Sequence, residues 1–453
     1  MSCWLQEIRS SSRGEDCREA RSRLADTRPY GVLAALLLAI PVWAQEPGAA
    51  PPPEELHAPP AGIHLTGASV YLGGDWLSAL YSEGEPSSTN LWLLTGGVTG
   101  DVAWQLQRRG TQASITYHAG YSRNQRFAAL NGFDQLISFD LRTDPDRHTF
   151  FTLTATGETG LMSDTLFDPR YVLAAALSAS SVRQLADSLK NDSGAVLDSP
   201  LELALAGVRH RGGEVFAGVT HSFSRRLTAN LRIGGARELH SYSRQQSVVP
   251  VYPNVSIGMA DLGITYALSP RTQIIGSGTY TRTYSRQYRA EWQSVGMGIE
   301  RLIGRESFAS VQGGYARIWE PGIAGPGRNS YLMSGTLGTT KRYHSLASTF
   351  RRGVADYHGL GADNTIAIEG AWTWAPQPSS WSVGSSLGYE RLGGGWLGMA
   401  QGWVGQANVM RRLGAHMALE FAAVYMADSG RDFAALTRRG ARVSLVWTPE
   451  RPR

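Results

Sequence analysis

Three places in the chain set a histidine beside a serine, the two groups that a hydrolase uses as general base and nucleophile. They are His221-Ser222, His240-Ser241 and His344-Ser345. Catalysis requires the imidazole to lie within hydrogen-bonding distance of the hydroxyl. Because adjacent residues of a β-strand point to opposite faces, each pair would converge only at a bulge. A lipase or protease is therefore the weakest functional alternative, and no catalytic residue is assigned.

Charged and polar residues form a second set, because they recur at every other position between apolar ones. Asp261, for example, alternates with Leu262 and Ile264. In a strand this spacing gives one polar and one apolar face. Around an aqueous space such charges set the field that a solute meets; otherwise they are solvated or form cross-strand ion pairs that stiffen the wall. The candidates for such a lumen are Asp101, His118, Asp140, Arg232, Asp261, Arg282, Glu369, Glu390, Glu420 and Arg442.

Metal, cofactor and nucleic-acid chemistry find no support in the sequence. There is no Cys/His cluster and no tightly spaced acidic loop, so we expect no metal site and no cofactor. The two cysteines, Cys3 and Cys17, both precede the apolar segment described next. The net formal charge of +5 is spread along the chain without a Lys/Arg run, which disfavours a nucleic-acid partner.

The first 61 residues carry export and linker signals. Arg21, Arg23 and Arg28 precede an apolar run at 31–42, and Ala44 follows as a small cleavage-site residue. This pattern predicts a cleaved signal peptide over 1–44 with an extended N-region, or with its true start near Leu24. The apolar run of about twelve residues is too short to span a bilayer. Six prolines between 46 and 61 indicate that 45–61 is an extended periplasmic linker.

Residues 62–448 have the texture of many long antiparallel strands. Short connections at 224–226, 269–271, 304–306, 376–379 and 412–414 alternate with longer ones at 243–254, 320–329, 356–363 and 428–438. Short turns at one end and long loops at the other are typical of a transmembrane β-barrel. We therefore predict an all-β, up-and-down antiparallel barrel of eighteen strands, with sixteen as the next choice. The predicted strand centres lie near 68, 102, 117, 138, 153, 218, 233, 260, 279, 295, 313, 335, 348, 368, 386, 404, 421 and 443.

Aromatic residues near the strand ends support the same fold, because membrane barrels carry aromatic girdles at both interfaces. The girdle candidates are Trp292, Trp319, Tyr331, Trp372, Trp374, Trp381 and Trp447. Tyr280, Tyr284 and Tyr315 fit either such a girdle or a stacking surface for sugars in the lumen.

The chain resembles bacterial outer-membrane barrels of the porin-like kind, in particular the large barrels associated with exopolysaccharide export. The resemblance covers about 62–448 and rests on the signal peptide, the strand texture and the terminal strand at 442–447. Trp447 resembles the aromatic assembly signal of this class, although a tail at 449–453 follows it. The resemblance implies an outer-membrane location. Its implied partners are outer-membrane lipid, lipopolysaccharide, the barrel-assembly machinery, and polysaccharide or export-complex proteins.

A long insertion at 160–212 interrupts the strand pattern. Leucines at near-helical spacing predict a helix over 171–189, and 201–208 could add another strand. The insertion is expected to constrict the lumen, to cover its mouth as a lid, or to remain a surface loop.

The leading functional hypothesis is a channel for a hydrophilic solute or polymer, with polysaccharide export as its favoured setting. The alternatives are a non-conducting scaffold or adhesin barrel and, as the weakest, a barrel lipase or protease.

Overall fold

The computed structural model describes a barrel within residues 57–453, which form one of two units of the chain; the other is 1–56. The described residues are 62–82, 85–108, 110–125, 131–161, 181–182, 185–186, 209–241, 253–286, 288–320, 327–356, 362–376, 379–393, 400–430 and 436–449. The predicted signal peptide and linker lie outside these residues, as do most of the predicted helix at 171–189 and the possible strand at 201–208. Among the described residues, no helix is both long and apolar enough to cross a membrane.

Eighteen strands form the barrel. In chain order they are β1 (Gly62–Ser82), β2 (Glu85–Arg108), β3 (Thr111–Asn124), β4 (Gly132–Thr143), β5 (Thr149–Leu161), β6 (Arg209–Ser222), β7 (Leu227–Ser241), β8 (Val255–Ser269), β9 (Thr272–Ser285), β10 (Arg289–Ile303), β11 (Ser307–Trp319), β12 (Arg328–Lys341), β13 (His344–Asp356), β14 (Ala362–Trp374), β15 (Trp381–Leu392), β16 (Ala400–Arg412), β17 (Met417–Gly430) and β18 (Leu436–Trp447). Each of the eighteen predicted centres falls inside the strand of the same rank, which confirms the predicted fold and strand count.

The sheet is closed. β1 pairs antiparallel with β2 on one side and with β18 on the other, and Trp447, the last residue of β18, lies opposite Ala68. Closure leaves no strand edge, so the backbone N–H and C=O groups of the wall pair within the ring. The register runs without a bulge through most strand pairs, with shifts near Leu65 and Leu80 in β1 and near Ala267 in β8.

The two faces of the sheet follow the alternation of the sequence. The outer face carries large apolar side chains that protein does not cover; Met297 and Tyr331 are each 70% exposed, and Val295 is 63% exposed. The alternate positions point inward and include buried polar groups such as Glu369 and Thr373. A period of two over strands of 12 to 24 residues thus separates one apolar face from one polar face.

The two ends of the barrel differ in their connections. At the turn end, where β2 meets β3 and β4 meets β5, the connections run from two residues (109–110) to six (375–380). At the loop end they reach forty-seven residues (162–208). The predicted segregation of short and long connections is incomplete, because the β1–β2 and β9–β10 connections at the loop end, 83–84 and 286–288, are also short.

A carboxylate holds one of the short turns. Asp146 Oδ1 accepts hydrogen bonds from the backbone N–H groups of His148, at 2.6 Å, and Thr149, at 2.7 Å, between β4 and β5. The His148 N–H bond is the largest cause of a lowered pKa for this exposed carboxyl group. A side chain that bonds backbone two residues on is the usual reason for aspartate in turns.

Candidate functional site: the barrel interior

The inner face of the barrel is polar and has more acidic than basic side chains. Among the residues whose side chains the structure describes, strand register places thirteen carboxylates on it: Asp75, Asp101, Asp134, Asp140, Glu158, Glu214, Glu238, Asp261, Glu300, Asp363, Glu369, Glu390 and Glu420. Seven arginines share it: Arg142, Arg232, Arg328, Arg351, Arg412, Arg438 and Arg442. With neutral histidines, this set has a formal charge of −6, that is 7 minus 13.

Nine of the ten predicted lumen residues lie on this inner face: Asp101, His118, Asp140, Arg232, Asp261, Glu369, Glu390, Glu420 and Arg442. Arg282 is a correction. It lies on the outer face, opposite Glu291 and between the inward-facing, buried Thr281 and Thr283. In this part of β9 Thr alternates with Tyr and Arg, so the inward face is polar as well and polarity did not distinguish the two faces.

Several of the predicted residues meet across neighbouring strands. Asp101 Oδ1 and His118 Nδ1 lie 2.5 Å apart between β2 and β3. Arg232 is the register partner of Asp261, and its guanidinium also lies 3.8 Å from the ring centre of Phe216. Cross-strand pairs of opposite charge stabilise a sheet modestly, so these pairs stiffen the wall.

The interior pairs also involve residues that the sequence analysis missed. Arg351 Nη2 donates to Glu369 Oε1 at 3.3 Å, and Arg438 Nε donates to Asp75 Oδ1 at 2.9 Å. Gln273 donates to Glu300 at 2.8 Å. Register was the missing information, because it sets which residues lie opposite each other, as Gln273 and Glu300 do, and which lie two residues away on the diagonal, as the two arginine pairs do.

Part of the long insertion lies in the interior. The backbone N–H of Leu185 donates to the carbonyl oxygen of Ser181 at 3.0 Å, the spacing of one helical turn. Val182, Leu185 and Ala186 are buried in one apolar cluster with three residues of the barrel wall: Phe308, Ala347 and Ala371. We call the described residues 181–182 and 185–186 the docked turn.

The wall beneath the docked turn is built from small residues around one aromatic ring. Phe308 faces inward at the start of β11, and Gly338 is its partner on β12. A Cβ atom at Gly338 would lie 2.2 Å from Phe308 Cε1, so the ring needs a glycine there. We call Phe308, Gly338, Ala347 and Ala371 the docking platform. Phe308 and Ile318 are the large apolar residues on the inner face of β11, where the positions between them, 310, 312, 314 and 316, are polar or small.

The docked turn lies far from the strands that the insertion joins. The insertion leaves β5 and enters β6 at the loop end, whereas Phe308 lies at the turn end of β11. In either direction around the ring, at least four strands separate β5 and β6 from β11 to β14. Because the platform residues face inward, the docked turn lies inside the barrel, against a distant part of the wall.

Aromatic residues divide between the two faces. Tyr280, Tyr284 and Tyr315 are on the outer face and Tyr331, Trp372 and Trp381 are exposed there too. Trp292 is a correction to the predicted girdle: it faces inward, is 6% exposed, and packs with Ala290, Ile318 and Ala362 near the loop end. Its outward neighbours in β10 are the charged Glu291 and the polar Gln293, so the apolar residue faces the interior at this point.

The histidine–serine pairs form no catalytic dyad in the described residues. His221 Nδ1 lies 2.9 Å from Thr149 Oγ1, whereas Ser222 lies on the other face and contacts Thr228. His240 bonds Glu238 at 3.0 Å and the carbonyl oxygen of Pro253 at 3.2 Å. His344 lies 3.3 Å from the indole nitrogen of Trp372. Among the described residues, no group of three or more metal-binding side chains converges.

Comparison with known proteins finds similarity to solved structures only. No family model matches the sequence. No curated protein matches it either. Solved structures that match include OccK2 (OpdF) of Pseudomonas aeruginosa, at 11% identity and a TM-score of 0.43 over 85% of this chain and 100% of that chain. A BenF-like porin of Pseudomonas fluorescens Pf-5 matches at 10% identity and 0.42, over 85% and 99%. OccAB4 of Acinetobacter baumannii matches at 7% identity and 0.39, over 84% and 97%.

Proposed function

We propose that this protein is a bacterial outer-membrane channel that passes small hydrophilic solutes and prefers cations. The observation that carries the proposal is the closed barrel with an apolar outer face and a polar inner face of formal charge −6, from seven arginines and thirteen carboxylates. A closed barrel is one of the two structures that satisfy their backbone in a bilayer. Barrels of this size enclose an aqueous interior.

The expected cation preference follows from where the carboxylates lie. Glu390, Glu369 and Glu420 are on β15, β14 and β17, near the loop end, the middle and the turn end of their strands, respectively. They therefore place negative charge along the whole height of one part of the wall. Rings and columns of carboxylates select cations because they attract counter-ions and repel anions.

The test is the reversal potential of the purified protein in a planar bilayer under a salt gradient. We expect a cation preference in the wild type. The triple substitution E369Q/E390Q/E420Q removes three negative charges, half of the formal inner-face charge, and should weaken the preference clearly. E291Q is the matched control, because Glu291 faces outward. An anion-selective wild type, or an equal effect of E291Q, would contradict the proposed selectivity.

The docked turn favours a second candidate, a non-conducting barrel whose loops serve as a scaffold or adhesin. Apolar packing of Leu185 on Phe308 places part of the insertion in the interior. Replacement of residues 162–208 by a short Gly/Ser linker separates the candidates. A channel conducts before the deletion and conducts more after it. A barrel that stays silent in both forms would remove the channel from consideration.

Export of a polysaccharide, expected from the resemblance, stays a prediction. None of the three structures named above is described as a polysaccharide exporter. Cleavage of the signal peptide and the assembly role of Trp447 also stay predictions. Edman sequencing of the mature N-terminus tests the cleavage. The amount of Trp447→Ala that is assembled in the outer membrane tests the assembly role.

A further inference from the structure

Five arginines lie on the outer face of β6, β7, β9 and β10, close to the loop end. Arg209 and Arg211 begin β6, Arg237 lies near the end of β7, Arg282 near the end of β9, and Arg289 begins β10. We call these five residues the arginine belt. Their alternation with inward-facing neighbours puts all of them on the apolar outer face. Charged residues are costly near the middle of a face that meets hydrocarbon and are tolerated near its rim, so these five lie at the level where they can bind a charged group at the membrane surface.

β8 lies between the strands that carry the belt, and its small residues Ser256 and Gly258 form a shallow floor there. Arg237 lies opposite Ser256, and Arg282 lies opposite Gly258. These two arginines are thus two strands apart, roughly 10 Å at the usual strand spacing. A Cβ atom at Gly258 would meet nothing within 4 Å, so the space above the floor is open. A group a few ångströms across fits between the two guanidinium groups.

One carboxylate is placed within the belt. Glu291 lies 2.8 Å from Arg289 and 3.3 Å from Arg282, and it accepts a hydrogen bond from the Tyr280 hydroxyl at 3.3 Å. Arg209 donates to the backbone oxygen of Asn131 at 3.5 Å. Five positive charges against this one negative charge leave a formal surplus of +4, 5 minus 1. The surplus lies toward β6 and β7.

We propose that the arginine belt binds the phosphate groups of a glycolipid headgroup in the outer leaflet, as carried by lipopolysaccharide. The inference rests on the proposed outer-membrane location. Arginine forks match phosphate oxygens in two parallel, charge-assisted hydrogen bonds. The outward-facing Tyr280 and Tyr284 beside the belt are the residue type that marks the level of the headgroups. A phosphorylated headgroup would satisfy the guanidinium groups at this level while its acyl chains cover the apolar face below.

The test measures binding of a bisphosphorylated lipid A-type glycolipid to detergent-purified protein by native mass spectrometry. The belt variant is R209Q/R211Q/R237Q, which leaves the Glu291 pairs intact. Loss of several charge-assisted hydrogen bonds should weaken binding by at least about tenfold. The matched control is R301Q/K341Q/R411Q, which removes three outward charges at the turn end and should bind like the wild type. E291Q should bind at least as tightly as the wild type.

Three outcomes would overturn the proposal: unchanged binding by the belt variant, equal loss in the control variant, or equal binding of the dephosphorylated glycolipid. Displacement of the glycolipid by an equal concentration of inorganic phosphate would also overturn it, because the belt would then be a general anion site. Heat-modified migration in gel electrophoresis checks that each variant is folded. The bilayer conductance of the belt variant should equal that of the wild type, so this test and the channel test fail separately.

Discussion

The inner and outer faces of the barrel are made from alternate residues of the same strands, yet they handle charge and apolar area in opposite ways. Outside, Val295 and Met297 expose most of their surface to the surroundings. Inside, Glu369 is 6% exposed and bonded to Arg351, while the docked turn buries Leu185 on Phe308. On a soluble protein the outer pattern would favour aggregation. In hydrocarbon the same surface is solvated.

The difference shows that the cost of a charged side chain depends on which face carries it, because the two faces meet different surroundings. A carboxylate on the inner wall costs little where it has a polar or charged partner, as Glu369 has in Arg351. An arginine on the outer wall is tolerated near a rim and costs more toward the middle. Each face has one exception to this pattern, the apolar docking platform inside and the charged arginine belt outside. The docked turn covers the platform, and the phosphorylated headgroup is the partner that we propose for the belt.

The strongest test of the difference between the inner and outer faces places one arginine on each of them. Ile264 is outward and 45% exposed, and Thr265, the next residue of β8, is inward. We expect Ile264→Arg to lower the free energy of unfolding in lipid by about 2–4 kcal/mol, the cost of a guanidinium near the midplane of a bilayer. Thr265→Arg should change it far less. Urea unfolding in lipid vesicles, followed by tryptophan fluorescence, measures both. Equal destabilisation would mean that the outer face does not meet lipid.

A second experiment disrupts the apolar cluster between the docked turn and the docking platform on the otherwise polar inner face. Leu185→Asp puts a charge into the cluster around Phe308, where burial without a partner is unfavourable. We expect the docked turn to leave the platform and the single-channel conductance to rise about twofold or more, since a wider path conducts more. Ser181→Asp, at the exposed residue of the same turn, is the control and should leave conductance near the wild-type level. Phe308→Ala should reproduce the effect of Leu185→Asp; if neither variant changes conductance, the docked turn does not narrow the path.

The smallest effect is expected at Asp146, which lies in the turn between β4 and β5 and belongs to neither face. Because the pKa of Asp146 is lowered from its ordinary value of 3.8 by the His148 N–H bond, its ionised form favours the folded state. This contribution is complete above the ordinary pKa and is lost as the pH falls through the lowered folded-state value. Asp146→Ala should therefore lower the unfolding midpoint slightly at pH 7, and the gap from the wild type should close in acid. A gap that widens below pH 4 would contradict this account of the turn.

Much of the fold was determined by the sequence because side-chain alternation is a local property. Residues such as Leu262 and Ile264 identify a strand and its apolar face without any knowledge of its neighbours. Eighteen strands, their order and the inward direction of nine candidates followed from that rule and from the turn residues. Where the rule had weak contrast, as with Arg282 in a run of Thr, Arg and Tyr, the predicted face was wrong.

The tertiary structure decided what depends on register and on distant contacts. The strand register determines that Arg351, opposite Ala367, reaches Glu369 on the diagonal. It also puts Arg237 opposite Ser256 and Arg282 opposite Gly258 on the two sides of β8. The insertion could be predicted as long and partly helical, but not as packed on Phe308, whose strand lies more than a hundred residues away in the chain. Local periodicity determines the faces of a strand, whereas closure of the ring determines what those faces enclose.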